Sequence, residues 1–194
     1  LFCGMSVSPQ TPIYLDKSQP IEQRIEDALS RMTLQEKINI IHAQSKFSAP
    51  GVPRLGIPEL WCTDGPMGVR PEVMWDEWDQ AAWTNDSCMA FPALSCLAAT
   101  WNPRMASLYG KSIGEEARFR NKSVLLGPGI NVYRTPLCGR NFEYMGEDPY
   151  LISHMVVPYV QGVQSNGVSA CVKHFALNNN EINRHTSNPI VDDR

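Results

Sequence analysis

The stretch Val168-Ser169-Ala170-Cys171-Val172-Lys173-His174 decides the fold class of this chain. Its first five residues are small or β-branched and carry no charge, which is typical of a buried parallel strand. Lys173 and His174 therefore stand at the carboxyl end of that strand. Ligands of α/β sheets and barrels bind beyond the carboxyl ends of the strands, so these two side chains are candidate site residues. The alternative is an ordinary strand-ending lysine in a surface ion pair.

Upstream of this strand, strand and helix patterns alternate. Short strands are predicted at residues 60–63, 91–99 and 124–126, and helices begin after residues 102 and 148, where each cap is followed by a first-turn proline. Two earlier helices are predicted near residues 21–32 and from Thr33, which forms a capping-box pattern with Glu36. Four βα units predict an α/β fold, namely the first half of a (β/α)8 TIM-like barrel. A doubly wound sheet is the competing architecture.

The composition excludes several classes of protein. The 194 residues are 43% hydrophobic, which suffices for the core of one or two domains. Interspersed charges give a formal net charge of −3, and without a basic stripe no nucleic-acid partner is expected. Because no apolar run reaches about eighteen residues, no membrane span is expected. The six cysteines form no C-x-x-C pair, which argues against a structural zinc or a thioredoxin-like site.

Residues 1–20 are predicted to be a leader and residues 21–194 a single barrel portion. The first eight residues are small and mostly apolar, like the trimmed end of a secretory signal, which favours a periplasmic or secreted protein. Asn85-Asp86-Ser87 and Asn121-Lys122-Ser123 match the N-glycosylation pattern and are expected at the surface. Three tryptophans between residues 75 and 83 suit either the faces of sugar rings or packing beneath a long loop.

The candidate site residues follow the ends of separate predicted strands. They are Asp64, Arg70, Arg140, Glu143, Lys173, His174 and Arg184. Arginine forks with a few carboxylates suit directed hydrogen bonds to a ligand rich in hydroxyl groups, and this chemistry requires no cofactor. Lys173 at a partly buried position needs an anion such as Asp64 to keep its charge.

Three other chemistries stay open on these residues alone. Gly127-Pro128-Gly129 follows a strand and could cradle phosphate, although it lacks the G-x-G-x-x-G and Gly-Lys-Ser/Thr patterns. Lys173 could be the Schiff-base nucleophile of a barrel lyase. A metal site is the third possibility, without a ligand pair on one helix face to support it. Its ligands would be His174, His185, Asp192 and Asp193.

A series of motifs resembles the N-terminal barrel of glycoside hydrolase family 3 across residues 21–190. In chain order they are Leu60-Trp61-Cys62-Thr63-Asp64-Gly65-Pro66, Gly68-Val69-Arg70, Leu97-Ala98-Ala99-Thr100-Trp101-Asn102-Pro103, Leu126-Gly127-Pro128-Gly129, Cys138-Gly139-Arg140-Asn141-Phe142-Glu143, Glu147-Asp148-Pro149 and Lys173-His174-Phe175-Ala176. Each motif is modest evidence by itself, whereas the whole series in order is specific.

The resemblance implies a retaining, exo-acting β-glycosidase that removes a sugar from the non-reducing end of an oligosaccharide or β-glycoside. Residues 176–181 depart from the motif of the N-acetylglucosaminidase branch, so a β-glucosidase or β-xylosidase type is expected. The positions that match the family's sugar-binding residues are Asp64, Arg140, Lys173, His174 and Arg184.

In that family the nucleophilic aspartate lies on a later strand of the barrel than the position of Arg194, and the acid/base comes later still, often from a second domain. The expected partners of this chain are therefore the C-terminal remainder of the barrel and a second domain. The resemblance therefore implies a fragment that holds the sugar-binding half of the site, lacks both catalytic carboxylates and is inactive in isolation. Asp148 is expected to cap a helix, and Glu143 to orient its neighbours. A non-catalytic carbohydrate-binding role is the remaining alternative.

Overall fold

The structure is a computed structural model that describes residues 11–83 and 86–190. Residues 1–10, where the sequence resembles the end of a secretory signal, lie outside the described residues, as do Asn85 of the first glycosylation pattern and the metal candidates Asp192 and Asp193. The chain divides into two compact units. The first comprises Leu1–Gln44 and Ala49–Glu59, and the second comprises Ser45–Ser48 and Leu60–Arg194.

The first unit is helical. Its helices are α1 (Ile21–Arg31) and α2 (Leu34–Ile40), with short 3-10 turns at Ile13–Leu15 and Pro53–Leu55. The predicted capping box starts α2: Thr33 Oγ1 accepts from the Glu36 amide at 3.2 Å, and Glu36 Oε2 accepts from the Thr33 amide at 2.8 Å. This reciprocal pair satisfies two backbone donors that a helix start leaves without intrahelical partners.

The second unit is built around a sheet whose strands are, in spatial order, β1 (Ser48–Ala49), β2 (Leu60–Asp64), β3 (Val124–Leu126) and β4 (Ser169–Ala170). The strands β2, β3 and β4 run parallel, and Asp64 at the end of β2 is level with Leu126 at the end of β3. The carboxyl ends of these three strands therefore meet at one edge of the sheet.

Three helices belong to the same unit: α3 (Leu94–Ala99), α4 (Pro103–Phe119) and α5 (Pro149–Gln164). The side chains of Asn102 and Asp148 cap α4 and α5, as predicted. Helices α4 and α5 pack closely where Gly110 faces Tyr159. A Cβ at Gly110 would lie 2.1 Å from the Tyr159 carbonyl oxygen, so the glycine allows this approach. The core beneath them includes fully buried Leu125 of β3.

One predicted strand is wrong. Residues 91–99 were expected to be extended, but the segment Leu94–Ala99 forms helix α3. Its buried residues are Leu94, Leu97 and Ala98, which recur at a spacing of three and four and so lie on one face of a helix. The predicted strand at residues 168–172 is shorter than expected, and an isolated parallel bridge between Gly129 and Lys173 extends its pairing to the site.

Within the described part of the chain, no helix is both long and apolar enough to cross a membrane. Cysteine pairing in the same part is also settled: Cys62, Cys88, Cys96, Cys138 and Cys171 are free thiols.

Candidate active site

The parallel strands bring Asp64 and Lys173 together at the carboxyl edge of the sheet. Asp64 ends β2 and Lys173 follows β4, and the Lys173 ammonium donates to Asp64 Oδ1 at 2.8 Å. The same oxygen accepts from the Gly65 amide at 2.9 Å. Lys173 Nζ also lies 3.5 Å from Glu143 Oε2, so the ammonium is placed between two carboxylates. The anion that the sequence analysis required for Lys173 is Asp64, as predicted.

Arg140 and Glu143 form a fork-to-fork ion pair within one loop. Arg140 Nε donates to Glu143 Oε1 at 2.7 Å, and Nη2 donates to Oε2 at 3.0 Å. A 3-10 turn at Asn141–Glu143 creates this geometry because it places the two side chains three residues apart on one side. Bidentate pairs of this kind fix the plane of the guanidinium as well as its position. Glu143 therefore orients Arg140, as the sequence analysis expected of it.

His174 joins the loop to the strand end. Its Nε2 lies 2.9 Å from Arg140 Nη2, and its Nδ1 lies 2.8 Å from the Tyr144 hydroxyl. The backbone amide of His174 donates to Asn131 Oδ1 at 3.1 Å. Burial lowers the pKa of His174, and the nearby positive charges of Arg140 and Lys173 lower it further. The imidazole is therefore held in its neutral form.

Arg184 is connected to the cluster indirectly. Its Nη1 donates to Glu181 Oε2 at 3.2 Å, and Glu181 Oε1 lies 3.7 Å from Arg140 Nη1. Of the five residues that the sequence marked for the site, four form two contacting pairs, Asp64 with Lys173 and Arg140 with His174, which Glu143 joins. Glu181 stands between Arg140 and Arg184. The five are Asp64, Arg140, Lys173, His174 and Arg184.

Both carboxylates of the cluster are held ionised. Burial raises the pKa of Asp64, but the hydrogen bond from Lys173 and its charge outweigh burial, so the pKa falls below its ordinary value. Burial likewise raises the pKa of Glu143, but the hydrogen bonds from Arg140 and the charge of Lys173 outweigh burial, so this pKa also falls below its ordinary value. Groups with lowered pKa values are poor general acids at neutral pH. At neutral pH these two carboxylates are therefore charged hydrogen-bond acceptors.

Several donors and acceptors of the cluster remain available to a ligand. Within the described residues, Arg140 uses three of its five N–H groups on Glu143 and His174, and the 3.7 Å separation of Nη1 from Glu181 is too long for a hydrogen bond. Asp64 Oδ2 lies 4.0 Å from Arg70 Nη1. A carboxylate oxygen beside an ammonium and a free guanidinium edge can accept from and donate to neighbouring hydroxyl groups.

Arg70 links this cluster to the tryptophan-rich loop. Its guanidinium lies 5.8 Å from the ring centroids of both Phe47 and Trp78 and donates to the Trp78 carbonyl oxygen at 3.4 Å. Trp78 is 59% exposed, and its ring also lies 5.2 Å from Lys46 Nζ. Trp78 is therefore packed against cations and Phe47 while part of its surface faces solvent, which agrees with packing beneath the loop. Contact with sugar rings stays a prediction.

The structure argues against the other chemistries. A Cβ at Gly129 would lie 2.2 Å from the Glu143 carbonyl oxygen, so this glycine allows close packing and does not open a phosphate cradle. Among residues 11–83 and 86–190, no three metal-ligating side chains group together, and both ring nitrogens of His174 already have partners. Lys173 is occupied as an ion-pair partner, which differs from the desolvated, unpaired amine that Schiff-base chemistry needs.

The sequence analysis missed Tyr144, Asn178 and Glu181. Asn178 Nδ2 donates to the Tyr144 hydroxyl at 2.8 Å and to Glu181 Oε1 at 3.0 Å. Tyr144 directly follows Glu143, and Glu181 lies between Lys173 and Arg184, so adjacency to named site residues was the available signal. No local pattern distinguishes these polar residues from ordinary loop residues.

The fold and the site together define a barrel-type α/β protein with paired charged side chains grouped at the ends of its parallel strands. The family model described as the glycosyl hydrolase family 3 N terminal domain matches residues 36–194. The chain therefore belongs to glycosyl hydrolase family 3. The resemblance recognised from the motifs is confirmed, and with it the α/β, TIM-like barrel fold.

Individual proteins show the same relationship. The chain is 69% identical over 173 residues to beta-glucosidase BoGH3A of Bacteroides ovatus, covering 89% of this chain and 23% of that protein. It is 45% identical over 172 residues to thermostable beta-glucosidase B of Acetivibrio thermocellus, covering 88% and 22%. The structure of DesR, a beta-glucosidase from Streptomyces venezuelae in complex with D-glucose, superposes with a TM-score of 0.72 at 39% identity, covering 83% and 20%. The chain thus spans less than a quarter of the length of these proteins.

Proposed function

We propose that this chain supplies the sugar-binding part of a retaining, exo-acting β-glycosidase that releases terminal β-D-glucose. The observation that carries the proposal is the linked cluster of Asp64, Lys173, Glu143 and Arg140. It leaves Asp64 Oδ2 and Arg140 Nη1 in looser ion pairs only, at 4.0 Å from Arg70 and 3.7 Å from Glu181, with capacity for hydrogen bonds to a ligand. Adjacent hydroxyls of a sugar ring fit such a pair, since each hydroxyl can donate to one group and accept from the other. The similarity to proteins named beta-glucosidases supports glucose as the sugar.

The two catalytic carboxylates of this proposal lie in a longer protein that contains the chain. Glu143 has both oxygens engaged by Arg140, and Asp64 Oδ1 is engaged by Lys173 and the Gly65 amide. A nucleophile needs a free oxygen aimed at the anomeric carbon, and an acid/base needs a pKa near neutral. Neither residue meets the requirement for the acid/base and Glu143 also fails that for the nucleophile, so the two cannot supply both catalytic carboxylates. Glu143 is assigned to orienting Arg140, and Asp64 to sugar binding.

Binding by this cluster contributes to catalysis only if it strengthens in the transition state. The sugar ring flattens towards an oxocarbenium-like geometry in the transition state. Hydrogen bonds from fixed charges to the sugar hydroxyls can strengthen as the ring takes up this shape. Arg140 is fixed by Glu143 and His174, so it pays little reorganisation when the sugar arrives. The rigid ion pairs therefore suit discrimination between ring shapes.

The test compares hydrolysis of an aryl β-glucoside and an aryl β-xyloside by the 194-residue chain and by the full-length protein. We expect turnover only by the full-length protein, with the glucoside preferred. Asp64→Asn should then lower kcat/KM by about a hundredfold or more, while the exposed Glu147→Gln serves as a matched control and should not. Turnover by the short chain would place catalytic carboxylates within these residues and overturn the assignment.

Two alternatives have their own outcomes in the same experiment. Glucose binding by the full-length protein without turnover of either glycoside would identify a carbohydrate-binding protein. A borohydride-trapped adduct on Lys173 in the presence of a carbonyl substrate would identify a Schiff-base lyase. Neither result is expected.

A further inference from the structure

A continuous row of hydrogen bonds runs from Arg140 to Glu181. Arg140 Nη2 lies 2.9 Å from His174 Nε2, and His174 Nδ1 lies 2.8 Å from the Tyr144 hydroxyl. The same hydroxyl accepts from Asn178 Nδ2 at 2.8 Å, and Asn178 Nδ2 donates to Glu181 Oε1 at 3.0 Å. The row therefore connects the guanidinium of the cluster to a carboxylate on the segment that carries Arg184.

The arginine end of the row fixes the direction of its hydrogen bonds. A guanidinium can only donate, so His174 Nε2 must be the nitrogen that carries a lone pair. The proton of the neutral ring is then on Nδ1, and Nδ1–H donates to the Tyr144 oxygen. In the opposite tautomer, an N–H of His174 would face an N–H of Arg140, and a doubly protonated ring would add like-charge repulsion to that conflict.

The carboxylate end is compatible with the direction that Arg140 sets. Glu181 can only accept when ionised, so the amide nitrogen of Asn178 must face it. That nitrogen also lies against Tyr144, which places a donor at the hydroxyl oxygen from this side as well. Both lone pairs of the Tyr144 hydroxyl are thus engaged by donors, one from Asn178 and one from His174.

We propose that Tyr144 is a positioning residue: its hydroxyl accepts the Nδ1 proton of His174 in the tautomer that Arg140 requires, fixes the plane of the imidazole and, through it, holds Arg140 with its Nη1 edge towards the ligand. The effect on sugar binding rests on the proposed function, whereas the effect on His174 does not. Tyr144 touches neither the Arg140 guanidinium nor Lys173 by any hydrogen bond of the described residues, so its influence on the sugar passes through His174.

The surroundings of Tyr144 make it a rigid support. Its side chain is 1% exposed, and its ring meets the His174 ring edge-on with centroids 5.8 Å apart. The Tyr133 hydroxyl donates to its carbonyl oxygen at 3.1 Å, and Gly129 leaves room for its ring. A side chain fixed by packing and by its own backbone loses little further freedom when it binds a partner.

The charged groups that face His174 together favour its neutral state. Arg140 and Lys173 oppose protonation of the ring, and the carboxylates Glu143 and Asp64, which act in the opposite sense, are already paired with those two cations. Acidification should therefore disrupt the row at His174 by removing the lone pair that Arg140 needs.

The test uses the full-length protein and two variants, Tyr144→Phe and Tyr109→Phe. The second is a control, because Tyr109 is also buried and its hydroxyl also loses a hydrogen bond, the 2.6 Å contact with the Pro92 carbonyl oxygen, in a different part of the unit. Tyr144→Phe loses two, to His174 and to Asn178. The protonated imidazole nitrogen of His174 is identified by ¹⁵N NMR, with the signal assigned from its loss in His174→Gln. Glucose affinity is measured by calorimetry across the pH range from 5 to 8.

We expect the wild type to carry the proton on Nδ1. In Tyr144→Phe that proton has lost its acceptor while Arg140 still opposes a proton on Nε2, so the Nδ1 proton should exchange faster with water than it does in the wild type and in Tyr109→Phe. Glucose binding should weaken by about tenfold in Tyr144→Phe, the scale of one lost hydrogen bond, and remain unchanged in Tyr109→Phe. An Nε2-protonated ring in the wild type would overturn the proposal, as would equal affinities of the two variants. An Nδ1-protonated wild type that binds no glucose would leave the tautomer assignment standing and refute the proposed function instead.

Discussion

Replacing Glu143 with glutamine removes the charge that joins both cations of the site while it preserves the shape of the side chain. Glu143 makes two charge-assisted hydrogen bonds with Arg140 and an ion pair with Lys173, and the side chains of Glu143, Arg140 and Lys173 are 11%, 22% and 13% exposed. Glutamine can keep one of these hydrogen bonds through its single carbonyl oxygen, but its amide donors would oppose the other N–H groups of the fork.

The expected loss is about 3 kcal/mol in the free energy of unfolding. One lost charge-assisted hydrogen bond accounts for about 2 kcal/mol, and the remainder is the cost of leaving two partly buried cations short of an anion. Breaking a fully buried pair costs about 3–5 kcal/mol, and the residual exposure of Arg140 keeps the value at the lower end of that range.

The pH dependence separates the charge from the shape. Because the folded state lowers the pKa of Glu143 below 4.5, its contribution to stability is fully present above that pH and is lost as the pH falls through the folded-state value. The wild type and Glu143→Gln should therefore differ by about 3 kcal/mol at pH 7 and converge at strongly acidic pH.

The assay is equilibrium urea denaturation of the full-length protein, followed by circular dichroism at a series of pH values. Glu147→Gln is the matched control, since Glu147 is an exposed glutamate four residues away, and it should change stability by less than about 0.5 kcal/mol. A difference for Glu143→Gln that is below about 0.5 kcal/mol at pH 7, or that stays constant from neutral to acidic pH, would refute the electrostatic explanation.

The remaining predictions concern stability measured in the same assay. Gly129→Ala should cost about 3 kcal/mol or more, because the added Cβ would lie 2.2 Å from the Glu143 carbonyl oxygen, whereas Gly139→Ala meets nothing within 4 Å and should be tolerated; equal effects would contradict the packing argument. Asp148→Ala should cost about 1 kcal/mol, since Asp148 Oδ1 caps α5 through a 2.8 Å hydrogen bond, and an unchanged midpoint would show that water replaces the cap. Arg184→Gln should cost less than about 0.5 kcal/mol because its ion pair is 45% exposed on the arginine side, and a loss above about 1 kcal/mol would contradict a surface pair.

Local patterns predicted the helices reliably. The capping box at Thr33 and the cap-and-proline pairs before α4 and α5 are confirmed, because each depends on residues within one turn of the helix start. The segment at residues 91–99 failed for the opposite reason. Its small apolar residues fit a strand or a buried helix equally well, and the choice depends on which face meets the core.

The residues of the site also fall into those that local motifs predicted and those that only tertiary contacts revealed. The sequence marked Asp64, Lys173, His174 and Arg140 because each follows a strand or stands in a recognisable motif. It did not indicate Tyr144, whose role depends on a hydroxyl that lies against a residue 30 positions later in the chain. Arg184 has no direct contact with the other four predicted residues among the described contacts. It is connected to Arg140 through the carboxylate of Glu181, a residue that no spacing pattern indicated.

The sequence by itself determined the family, the barrel class and the types of side chain available to the site, because these depend on short motifs and on composition. Only the tertiary structure decided which charges meet. Lys173 and Asp64 are separated by 109 positions along the chain, and they make contact because β2, β3 and β4 run parallel in register. Hydrogen bonds and ion pairs act over a few ångströms, so the pairing of residues distant in sequence depends on the packed strands and loops that bring them into range.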